Sequence, residues 1–161
     1  MADPEALIAE IVAAARVEEP DMTAGVPVPP PGGAAERLRQ RWTGVRWLCL
    51  TATPQGGWDL PMLLGKPHAL NWGTPVHPRL DPAYHAAFLR SWHRRFDACV
   101  RGLHPRWLDI VVGAPPTEPD EIAAVAMEQY AYCDDLGLDV GFPAGVAREQ
   151  VPADQWYFWW D

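Results

Sequence analysis

Lysine occurs once, at Lys66, and serine once, at Ser91. Ser91 falls inside a helical stretch with no strand-to-helix elbow around it, so serine-hydrolase chemistry has no support. Lys66 follows Gly65, but Pro67 stands where a phosphate loop needs Ser or Thr, and no Gly-rich dinucleotide fingerprint is present. Cysteine is scarce: Cys49, Cys99 and Cys133 are too few, and odd in number, for a disulfide framework. A reduced, cytoplasmic setting is the expectation. No apolar run approaches the length of a membrane helix. The acidic start lacks the basic end and apolar stretch of a signal peptide, so no membrane contact is expected. Positive charge is also short. The net charge of −8 argues against broad nucleic-acid binding.

What the chain does have is aromatic and apolar mass. Nine tryptophans and a 48% apolar fraction in 161 residues fit one globular domain with a heavy aromatic core. That length buries such a core without staples. Ala, Arg, Pro and Gly are abundant, a bias typical of a GC-rich bacterial genome. Charge is segregated along the chain. Residues 1–34 carry six acids and one Arg, about −5; residues 35–106 carry four acids against ten Arg and Lys66, about +7; residues 107–161 carry eleven acids and Arg148, about −10. Acidic and basic elements are expected to face each other within the fold, with an anion-binding face on the middle segment as the sharper alternative.

Periodicity predicts a helix over 4–17, where Leu7, Ile8, Ile11 and Val12 recur loosely at helical spacing. Residues 18–34 form a Pro/Gly-rich linker that favours an extended, semi-rigid path. The first helix is therefore an arm that docks at a distance or on a partner. A single α+β domain is expected over 35–161. It opens with a short helix near 34–42 and a strand over Val45–Ala52. The Gly/Pro/Trp/His-rich stretch 53–78 holds short strands near Leu60–Leu64 and Ala69–Trp72. Asp81-Pro82 opens a helix whose core face carries Tyr84, His85, Phe88, Leu89, Trp92 and Phe96, and Asp97 ends it in a left-handed turn. Strands follow near Ala98–Leu103 and Trp107–Gly113. Thr117 caps a helix with Ile122, Ala126, Gln129, Tyr130 and Cys133 inward. A short helix lies near 143–150.

The run Trp156-Tyr157-Phe158-Trp159-Trp160-Asp161 reads as a strand locked into a sheet. Trp156, Phe158 and Trp160 share one face, Tyr157 and Trp159 the other, and both faces are expected to be covered. The order of elements predicts a largely antiparallel sheet with helices packed on one face, compatible with a ferredoxin-like split βαβ arrangement.

Glu128 to Asp135, reading Glu-Gln-Tyr-Ala-Tyr-Cys-Asp-Asp, and the terminal Trp156–Asp161 resemble a bacterial family catalogued as domain of unknown function 4253. Phe88–Phe96 is similar to that family's central helix, and Pro115-Pro116 to its break before the next helix. The likeness spans about Trp58 to Asp161. Asp97-Ala98 stands where the family usually has Gly-Ala. Asp134 stands where it has Pro, so Asp135 matches the family's Asp. The resemblance implies the domain and its boundaries and carries no established activity.

The candidate chemistry is sparse. Glu128, Asp135 and Asp161 are carboxylates that converge near Cys133 if the terminal strand lies beside the helix. They would then serve acid–base work or hold a hard cation; otherwise they cap backbone or pair with the Arg-rich middle segment. Cys133 is a nucleophile if a histidine such as His93 lies near it, and a buried inert thiol otherwise. His68, His77, His85, His93 and His104 match no zinc spacing, so no metal or other cofactor is expected. Trp58 and Trp72 sit in the Gly/Pro-rich loop. With Arg46 or Arg79 beside them they would stack on a planar or anionic ligand; otherwise they lid the core. Trp159 and Asp161 complete the recognition candidates. The leading expectation is a non-enzymatic bacterial binding domain for a protein partner or small ligand, of an immunity or pathway-accessory type. A small cytoplasmic enzyme acting on a polar metabolite through carboxylate and histidine groups is the alternative. A structural homodimer joined through the N-terminal arm is the third.

Overall fold

The computed structural model of the chain describes residues 4–18, 56–63, 82–104, 106–133, 135–136 and 144–160. Its elements run α1 (Pro4–Glu18), α2 (Leu60–Leu63), α3 (Pro82–Phe96), β1 (Ala98–His104), β2 (Trp107–Val112), α4 (Pro119–Tyr132), α5 (Ala144–Glu149) and β3 (Gln155–Trp159). The strands form one antiparallel sheet in the order β1-β2-β3. The fold is α+β. The expected helix at 34–42, the strands at Val45–Ala52 and Ala69–Trp72, and the Asp81 cap lie outside the described residues.

Period-two alternation sets the inner face of the sheet. Ala98, Leu108, Ile110, Val112, Trp156 and Phe158 are buried there against the apolar faces of α3 and α4. The α3 face holds Phe88, Leu89, Trp92 and Phe96. The α4 face holds Ile122, Val125, Ala126, Gln129 and Tyr130. At the centre Trp92 lies parallel to Phe158, with ring centroids 5.4 Å apart at 7°, and stands edge-on to Trp156 and Tyr132. Tyr132 also meets Phe88, Phe158 and Trp160. Tilted and edge-to-face rings place each positive rim on a neighbour's negative face, which adds to their buried area.

Three local expectations are corrected. Residues 60–63 form one helical turn rather than a strand. Pro61 fixes φ near the helical value, and the Asp59 carbonyl accepts Met62 N at 2.9 Å and Leu63 N at 3.0 Å. The N-cap of α4 is Glu118, not Thr117, and it makes no side-chain cap bond. Pro119 pushes the residue before it to extended backbone, which seats the cap at Glu118 (φ −79°, ψ 135°). On β3 the inner rings are sealed, but Tyr157 and Trp159 on the outer face are half-buried rather than covered.

Asp97 leaves α3 at φ 52°, the left-handed exit its position predicts. The chain enters β1 directly after it. A bulge between Val100 and Gly102 gives β1 one extra residue and turns Arg101 toward Asp109. The N-terminal helix docks on its own domain. Ile8 and Ile11 are buried in the core, and α1 packs on α3 and α4.

Candidate functional site

Among the described residues, two places bring together side chains that could serve a ligand. The first is a cleft of about 390 Å³ between α1, α3 and α4. Ile8, Ala9 and Val12 wall one side, and Ser91, Arg95 and Glu128 the other. That volume falls in the range of small-ligand sites. Helical spacing builds it: Ser91 and Arg95 stand four residues apart on α3, above the apolar stripe of α1. Both oxygens of Glu128 accept from Arg95 Nη1, at 2.8 and 2.9 Å, and Oε2 also accepts from Trp92 Nε1 at 2.9 Å. The carboxylate is thereby fixed by a cation and a core indole. No histidine among the described residues lines the cleft.

The second place is the corner between α3 and β1. Ring nitrogen of His93, carboxylate oxygen of Asp97 and sulfur of Cys99 all lie within 4.8 Å of one another. His93 Nδ1 is 3.1 Å from the Ala98 carbonyl and 3.9 Å from Cys99 Sγ, and the thiol donates to the Asp97 carbonyl at 3.6 Å. Burial, and then the Asp97 charge, push the Cys99 thiol above its ordinary value. It is therefore protonated near neutral pH and is no ready nucleophile. Sequence spacing did not single out this trio. Its signal is a histidine in the last turn of a helix, an acid at the left-handed exit and a cysteine two residues on.

The other sequence candidates are dispersed. Cys133 is fully buried and donates to the Trp159 carbonyl at 3.2 Å, which seals it as a structural thiol. The Glu128 carboxylate engages α3 instead, so the two do not meet. Asp135 is half-buried beyond the end of α4. Trp58 packs against the core, with the Arg90 guanidinium 5.1 Å over its ring. Trp159 lies half-buried on the outer sheet face, opposite Trp107. Trp107 itself is stacked between His104, at 5.1 Å, and Tyr157, at 6.2 Å. Arg46, Trp72, Arg79 and Asp161 lie outside the described residues. His85, expected in the core, is buried with Nδ1 2.9 Å from the Tyr132 hydroxyl.

No helix among the described residues is long and apolar enough to cross a membrane. A family model described as "Domain of unknown function (DUF4253)" matches residues 55–161. No curated protein and no solved structure matches the chain.

Proposed function

The chain belongs to the DUF4253 family, and from that premise we propose that it is a non-enzymatic bacterial binding domain. It would take a small ligand, or an apolar side chain of a protein partner, in the cleft between α1, α3 and α4. The observation that carries this reading is the state of Glu128. An acid–base carboxylate needs a free face toward its substrate. Both oxygens of Glu128 are instead held by Arg95 and Trp92. The lining that remains is Ile8, Ala9, Val12, Ala124, Ser91, the neutralised Arg95–Glu128 pair and the exposed Glu5 carboxylate, which suits a ligand with an apolar body and one polar or cationic end.

A thermal-shift screen against metabolites and nucleotides tests this. A ligand at a hundred times its dissociation constant adds about 2.7 kcal/mol, a rise of several degrees for a domain of this size. The expected hit weakens in Val12→Trp, which fills the cleft, and is recovered chemically unchanged after prolonged incubation. Turnover of the ligand that disappears in Glu128→Gln would overturn the reading.

A further inference from the structure

At the α3–β1 corner three donors of different chemistry meet within 4.8 Å of one another. We propose that His93, Asp97 and Cys99 form a site for a divalent transition metal of the zinc class, with water completing a tetrahedral shell. This does not rest on the cleft reading. It rests on spacing, donor chemistry and the shape of the backbone around the donors.

Zinc bonds to nitrogen, oxygen and sulfur of about 2.0–2.3 Å set tetrahedral donors roughly 3.3–3.8 Å apart. Cys99 Sγ and His93 Nδ1 stand 3.9 Å apart. The widest separation the trio allows is 4.8 Å, so side-chain movement of about 1 Å closes the shell around an ion. The donor set also selects the ion. Calcium and magnesium take oxygen ligands, whereas a thiolate with an imidazole favours zinc and its neighbours in the transition series.

The backbone holds the donors in place. Val100 N donates to the Gly56 carbonyl at 2.9 Å, which pins the Gly56 loop beside β1. A Cβ on Gly56 would fall 2.5 Å from His93 Nδ1, and one on Gly113 2.6 Å from Asp97 Oδ2. Glycine thus lets backbone close on two of the three ligands. The trio stands where α3 ends, at the negative pole of its dipole, which favours a cation. Asp97 is exposed while His93 and Cys99 are half-buried, so the site opens to solvent for ion entry. On binding, the thiol proton leaves to solvent. His93 Nδ1, which donates its proton to the Ala98 carbonyl in the empty site, exchanges that contact for the metal; the Nδ1 proton leaves to solvent and Nε2 takes one up, so the bound ring is the neutral Nε2–H tautomer.

Titration of chelator-stripped protein with Co²⁺, followed by absorption, tests the site. The expected result is a near-ultraviolet thiolate-to-cobalt band that saturates at one equivalent and is displaced by Zn²⁺. Cys99→Ser removes the band, while Cys49→Ser and Cys133→Ala keep it. Asp97→Gly is a second variant that suits the left-handed turn and so preserves the fold. It should weaken Zn²⁺ binding by more than about a hundredfold, beyond the 10–100-fold typical of partners outside the ligand set. No band in the folded wild type, or an unchanged band in Cys99→Ser, overturns the proposal. So does undiminished Zn²⁺ affinity in Asp97→Gly.

Discussion

His85 shows how far burial alone can move a side chain. It lies edge-on to Tyr132 and Trp160, without solvent contact. Burial lowers its pKa from the ordinary 6.5 to about 3. The Tyr132 phenol is pushed well above its ordinary value, first by its own burial and then by Cys133. The pair therefore stays neutral from about pH 3 upward. The sign of the consequence is fixed by linkage. Below pH 6.5 the unfolded chain takes a proton on this histidine that the folded chain refuses, so stability falls on acidification between pH 6.5 and about 3. One pH unit in that window removes up to about 1.4 kcal/mol. His85→Gln keeps a polar partner for Tyr132 and cannot titrate. Urea midpoints of this variant should fall less between pH 6.5 and 4.5 than those of the wild type. Equal slopes for the two proteins would mean that His85 is protonated in the folded state.

Helix α1 raises the corresponding question one level up. A proline-rich linker behind it led to the expectation of a remote arm, yet the helix docks on its own α3 and α4. Periodicity tells which side of a helix is apolar but not what that side meets, so docking was not legible. The same holds for the trio at the α3–β1 corner. Its ligands come from a helix, a left-handed turn and a strand, and no single-element spacing encodes that arrangement. By contrast, the core faces of α3 and α4 and the three strands were legible, because each repeats within one element. The cap at Glu118 and the turn at 60–63 depart from expectation for a local reason, a proline immediately after Glu118 in one and after Leu60 in the other. What holds α1 follows from burial. The Arg94–Glu5 pair, 3.8 Å apart, joins side chains 65% and 74% exposed and contributes little. Ile11 is 2% exposed. Ile11→Ala should cost about 2–5 kcal/mol, and Glu5→Gln less than about 1 kcal/mol. Hydrogen exchange of the α1 amides should accelerate with the first change and not with the second. A neutral Ile11→Ala would mean that α1 is held by something other than its apolar face.

Across the whole molecule, the segregated charge resolves into contacts. Arg94–Glu5, Arg95–Glu128 and Arg101–Asp109 each tie the basic middle of the chain to one of its acidic ends. Buried Asp109, which also accepts from Gln155 Nε2 at 2.7 Å, brings such a pair to the sheet itself. These pairs form where the buried rings have already brought the elements together; the cohesion comes from the rings. Trp92 joins the two: its indole stacks on Phe158, and its N–H holds Glu128 beside Arg95. Its removal therefore tests packing and polar anchoring together. Trp92→Ala should cost about 3–5 kcal/mol through the cavity it leaves, a large part of the 5–15 kcal/mol usual for a domain. Trp92→Phe keeps a ring on Phe158 and loses the indole donor, at a cost of about 1–3 kcal/mol. Urea unfolding followed by near-ultraviolet circular dichroism should rank the two in that order, with the Phe variant still cooperative. Equal losses would place the contribution of Trp92 in its hydrogen bond to Glu128 rather than in its stack. The cleft would then depend on the ion pair for its shape, and Glu128→Leu, which leaves the indole no acceptor, should reproduce the whole effect.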